Sequence, residues 1–108
     1  MAYRAIHRHA RISARKVRPL ADLIRGQRVD EALAILKYQP HRGARLLEKV
    51  LQSAKGNAEA QRAPNMAGLV VVDARVDGGP TFKRLRPRAR GMAHVITKRY
   101  AHISVEVE

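Results

Sequence analysis

The residues with chemistry to offer crowd into one stretch. Lys83, Arg84, Arg86, Arg88, Arg90, Lys98 and Arg99 fall within residues 79–99, and no Asp or Glu stands among them. Guanidinium and ammonium groups at this density can do one thing well, which is to neutralise an anion. Arg offers a planar fork to phosphate oxygens, and Lys offers a point charge. Their mutual repulsion must be offset by a partner, and the whole chain carries a net charge of +13. That balance points to nucleic acid or another anionic surface. A second basic set follows helical spacing: Arg11, Arg15, Arg18 and Arg25, with Asp22 on the same stripe. Asp22 is placed to pair with Arg18 and Arg25, each pair contributing about 0.2–0.5 kcal/mol. The rest of that stripe is free for phosphate. Arg4 and Arg8 share one side of a stretch that alternates small or apolar residues with basic ones.

Catalysis finds no footing. The nine acids are dispersed, and cysteine is absent, which removes thiolate nucleophiles, disulfides and Cys-type zinc sites. His7 and His9 have the i, i+2 spacing of a strand metal site, but no third ligand is spaced near them, so no metal is expected. Gly78-Gly79-Pro80 matches no phosphate-cradling loop. Ser13, Ser53 and Ser104 lack a nucleophile-elbow context. The expectation is a binding protein with no enzyme activity and no cofactor.

The elements that must position these side chains are legible from periodicity. Residues 2–10 read as an edge strand, with Arg4, Ile6 and Arg8 on one face and Tyr3, Ala5, His7 and His9 on the other. Ser13 stands where its hydroxyl would accept an orphan N–H of a helix. Val17, Leu20, Ala21 and Ile24 form that helix's buried face, Pro19 should bend it, and Gly26 closes it. A second helix starts at Asp30 and runs to about Tyr38, where Pro40 ends it. A third runs from about Arg42 to Gln61, burying Gly43, Leu47, Val50, Leu51, Ala54 and Ala58. Its small residues allow close approach, and Arg45, Glu48, Lys49, Gln52 and Lys55 face outward.

Leu69 to Val76 is a β-branched run, hence a strand. Asp77-Gly78-Gly79-Pro80 marks its end. In the basic arm beyond it, Arg84, Arg86, Arg88 and Arg90 line one side, and Leu85, Pro87 and Ala89 the other. Pro87 has no backbone donor, so this arm cannot be central in a sheet. Gly91 with Met92 and Ala93 reads as a hairpin tip. Arms of about ten residues reach roughly 30 Å. After Arg99, Ala101, Ile103, Val105 and Val107 alternate with polar residues as a half-buried antiparallel strand. The fold class is therefore α+β: three helices packed on a small antiparallel sheet, with a long protruding β-hairpin. Residues 1–108 form one domain, with a body of about 1–78 and 100–108 and an extended hairpin of about 79–99.

Three blocks resemble one family. Ala10-Arg-Ile-Ser-Ala-Arg-Lys-Val-Arg-Pro-Leu-Ala-Asp-Leu-Ile-Arg-Gly26 is similar to the opening helix of the universal large-subunit ribosomal protein L twenty-two, bacterial type. Glu48-Lys-Val-Leu-Gln-Ser-Ala-Lys-Gly-Asn-Ala58 resembles its long helix, and Val76-Asp-Gly-Gly-Pro-Thr-Phe-Lys-Arg-Leu-Arg-Pro-Arg-Ala-Arg-Gly91 its hairpin. The resemblance implies a structural protein, not an enzyme, on the cytoplasmic ribosome. Its hairpin would thread through large-subunit ribosomal RNA, with neighbouring ribosomal proteins as further partners.

By resemblance, Ser13, Arg15, Lys16 and Arg18 lie on ribosomal RNA, as do Lys83, Arg84, Arg86, Arg88, Arg90, Lys98 and Arg99. Arg4, Arg8, Arg11 and Arg25 join them on charge alone. Arg88, Ala89, Arg90, Gly91, Met92 and Ala93 would form a tip lining the nascent-polypeptide tunnel, near where macrolide antibiotics act. Pro19 and Met92 depart from the family's usual residues. Two other readings compete. One is a free DNA-binding architectural protein, with Met92 or Pro87 as an apolar wedge. The other is a cationic membrane-surface protein, for which residues 42–61 are too mixed in charge. No stretch approaches the ~20 apolar residues of a membrane span, and no signal-peptide core opens the chain.

Overall fold

A computed structural model describes residues 2–108. Three strands form one antiparallel sheet in the order β1-β3-β2, where β1 is Tyr3–Ala10, β2 is Val71–Pro87 and β3 is Ala93–Val107. The helices α1 (Ala14–Ile24), α2 (Val29–Tyr38) and α3 (Arg42–Ala60) cover one side. Contacts put α3 against β1 and β3 and α1 against β2, while α2 packs chiefly on α3 and α1. No helix among the described residues is long and apolar enough to cross a membrane.

The core is aliphatic. Val17, Leu20, Ala21 and Ile24 of α1 meet Leu36 of α2, Leu47, Leu51, Ala54 and Ala58 of α3, and Ile103, Val105 and Val107 of β3. Fully burying one such Leu, Ile or Val side chain stabilises by about 1.5–3 kcal/mol. Gly43 lets α3 cross α1 closely: a Cβ there would stand a tight 3.1 Å from the Leu20 side chain and 3.2 Å from that of Val17.

Several local expectations change. Ser13 occupies the N-cap position of α1, and its carbonyl accepts the Lys16 N–H at 3.0 Å, but its hydroxyl makes no cap hydrogen bond. Pro19 does not break α1. The proton it lacks would have bonded the Arg15 carbonyl on the solvent side, where water can take its place. The second helix begins at Val29 rather than Asp30, which leaves Asp30 and Glu31 in the first turn, where the helix dipole favours acids.

The sheet departs most. Asp77-Gly78-Gly79-Pro80 does not end the strand; β2 runs unbroken to Pro87. Gly78 pairs with Ala101 and Thr81 with Arg99, so one extra residue is absorbed there as a bulge. A bulge in β1 between His7 and Ala10 likewise breaks the alternation expected of it. Its core-facing residues are Tyr3, Ala5 and Ala10, and Ile6 is exposed. His7 and His9 therefore do not share a face. His9 has φ 59°, and its N–H donates to His102 Nδ1 at 3.0 Å.

Beyond the bulge β2 and β3 leave the body together, and the molecule measures 65 × 24 × 16 Å. Both β1 and β2 are edge strands, which accommodates Pro87. The last buried residue before the arm is Val76 and the first after it is Ala101.

Candidate nucleic-acid interface

The register assigns the arm's two faces. Phe82 pairs with Lys98, Arg84 with Ile96 and Arg86 with His94, so these six share one face. Thr81 with Arg99, Lys83 with Thr97, Leu85 with Val95 and Pro87 with Ala93 share the other. The second face carries Lys83 and Arg99 at its base and exposed Leu85 and Val95 nearer the tip. None of the arm's seven cations makes an ion pair with an acid among the described residues; the recorded pairs are Arg25–Asp22, Arg45–Glu48, Lys55–Asp30 and Arg75–Asp73.

The tip is a tight turn. The Arg88 N–H donates to the Met92 carbonyl at 2.7 Å, and Arg90 and Gly91 both take left-handed φ values, 60° and 70°. That backbone costs Gly91 nothing and Arg90 about 1 kcal/mol. The turn swings Arg90 out of the alternating row in which it was expected to follow Arg84 and Arg86. Met92 is 64% exposed beside it.

The arm joins the body at an elbow against the start of α1. Arg11 and Lys16, with Arg42 from α3, face Arg84, Lys98 and Arg99 across a cleft of about 680 Å³. No acid lines it. Arg42 Nη1 donates to the Arg11 carbonyl at 3.1 Å, which holds that guanidinium at the mouth. A second cleft of about 370 Å³ gathers Ser13, Arg15 and Arg18 with Gly79, Thr81 and Arg99. Arg42, Phe82 and Tyr100 are among the lining residues that charge spacing alone does not single out. Arg42 is separated in sequence from both basic sets, and only the α1–α3 crossing brings it to the elbow.

Other basic residues are occupied or stand apart. Arg25 donates through Nε and Nη2 to the Ala74 carbonyl, at 2.9 and 2.6 Å, and also pairs with Asp22. Arg18 does not pair with Asp22; its Nε donates to the Val76 carbonyl at 3.1 Å. Both residues pin α1 to β2 just before the arm departs. Arg45, expected merely to face solvent, donates to the Leu36 and Lys37 carbonyls at 2.8 and 3.0 Å and to that of Gln39, satisfying the end of α2. Arg4 lies on the solvent face of the sheet, paired in register with Glu106, and Arg8 is exposed at the β1 bulge. Neither lines the two elbow clefts.

One antiparallel sheet covered on one side by helices, from which a hairpin carries an acid-free basic arm, defines an arm-bearing cationic α+β protein. Residues 5–108 match the family described as ribosomal protein L22p/L17e, and the chain belongs to that family. It is 58% identical to the large ribosomal subunit protein uL22 of Rhodopirellula baltica, over 95% of this chain and 91% of that protein. The proteins of the same name from Thermoanaerobacter sp. and Finegoldia magna are 49% and 50% identical over all of this chain, covering 97% and 96% of their own lengths.

Proposed function

We propose that this chain is a structural component of the large ribosomal subunit and that it binds large-subunit ribosomal RNA during assembly through its arm and elbow. The observation that carries this reading is the arm itself. It holds seven cations, no acid and no core residue. Such an element does nothing for the body's stability, and its charge has work only against a polyanion. Family membership names the assembly. Folded RNA is recognised by shape, backbone and splayed bases rather than by groove sequence, which suits an arm threaded between RNA segments. Lys83, Arg84, Arg86, Arg88, Lys98 and Arg99 contact phosphate along the arm, and Ser13, Arg15, Lys16 and Arg18, the last through its Nη groups while Nε holds the Val76 carbonyl, do so at the elbow. Residues 88–93 line the nascent-chain tunnel. Neighbouring ribosomal proteins and the nascent polypeptide are the remaining partners, the site is the cytoplasmic ribosome, and no catalytic step belongs to it.

The test replaces Arg86 and Arg88 by Ala and follows incorporation into reconstituted large subunits alongside thermal unfolding of the free protein. Incorporation falls and Tm holds. An equal loss of Tm contradicts the reading. For the tip, a deletion within residues 88–93 leaves large subunits at normal abundance but changes macrolide sensitivity. Loss of the subunits themselves contradicts that placement.

A further inference from the structure

The elbow cleft contains more than charge. The Phe82 ring, 44% exposed, lies in the cleft wall with Tyr100 against it edge-on, ring centroids 5.4 Å apart at 75°. The Arg84 guanidinium carbon sits over the Phe82 ring, 5.8 Å from its centroid. Nothing in the core needs this arrangement, because Phe82 lies outside the buried set. Phosphate has no use for an aromatic face. An unstacked base does: it offers two π-faces, one to an aromatic ring and one to a guanidinium plane.

We infer that the elbow captures a single unpaired RNA base, inserted between the Phe82 ring and the Arg84 guanidinium, with its flanking phosphates on Lys98 and on Arg11 and Arg42. This rests on the RNA-binding reading above and adds the class of ligand. The geometry is close to what insertion needs. Two carbon contact distances make about 7 Å, so Arg84 must withdraw by only about 1 Å. It is exposed and held by one hydrogen bond, from Nη1 to the Lys83 carbonyl at 3.1 Å. Tyr100, packed at 75° to the Phe82 ring, restrains that ring's tilt. The cleft volume of about 680 Å³ falls within the roughly 300–1,000 Å³ of small-ligand sites. A paired base has both faces stacked, so a duplex does not enter.

The test uses the full chain and an RNA strand of about seven nucleotides, abasic except for one central 2-aminopurine. A wholly abasic strand is the control. Stacking on Phe82 quenches the 2-aminopurine fluorescence and tightens binding about tenfold over the abasic strand. Phe82→Leu removes both effects on the first strand, leaves the abasic strand's affinity unchanged, and keeps the salt slope and the unfolding midpoint. Phe82→Tyr restores the quench. If both strands bind equally to the natural chain, with a salt slope but no quench, the cleft takes phosphates only; the pocket is overturned and the RNA-binding reading stands. If neither strand binds with any salt dependence, both fall.

Discussion

Two arginines of equal charge do opposite work. Arg25 spends its guanidinium on the Ala74 carbonyl, while Arg86 stands exposed on the arm with no acid partner. Arg25→Ala should therefore cost about 1–2 kcal/mol, a discount on charged hydrogen bonds because its side chain is 43% exposed. A fall in Tm of roughly 5–10 °C reads that cost. Arg86→Ala should leave Tm unchanged and lower the salt slope of RNA binding by about 0.7–0.9. The distinction was invisible in the sequence, where both residues are bases on a regular stripe. Arg25 meets a carbonyl 49 residues away, and Arg18 one 58 residues away. No local spacing encodes such a partner. What the residue types did reveal was the arm's chemistry, because seven bases without an acid need no tertiary context to be understood.

The elements separate as cleanly as the residues do. Every buried side chain lies outside residues 77–100, so the arm is an addition to a body that is already complete. Replacing residues 79–100 with an Asn-Gly turn joins the Gly78–Ala101 pair through a two-residue hairpin. Thermal unfolding of that variant should remain cooperative with a Tm close to the full chain's; a collapsed transition would show that the arm supports the body. The α1–α3 crossing behaves oppositely. Gly43→Val forces a branched side chain against Leu20 and Val17 and should cost about 1–3 kcal/mol, read by denaturant titration. Periodicity made the helices and the inward face of β3 legible, while β2 showed itself only as a β-branched run. The bulges were not legible, since Gly-Gly-Pro signals both a strand's end and a bulge. The choice was made by β3, whose ladder continues past Ala101 to Arg99 and pulls the partner strand on with it. The elbow cleft was hidden for the same reason: it exists only where two distant elements meet.

As a whole the molecule is a body with a lever, 65 Å long and 24 Å across, bearing +13 overall. Charge on a compact surface would be screened as salt rises, and the protein would leave its partner. An arm enclosed by RNA is held by many contacts that must break together. On the function proposed above, the shape serves assembly: the body folds on its own core, and the arm is left free of it for an RNA partner. The most direct measurement is sedimentation of the full chain and the arm-replaced variant in lysate gradients after a wash at about 1 M salt, where the Debye length is roughly 3 Å. The full chain should stay with the large subunit while the variant is released to the top of the gradient. Release of both, or retention of both, would contradict it, because the arm would then not be what holds this protein in place.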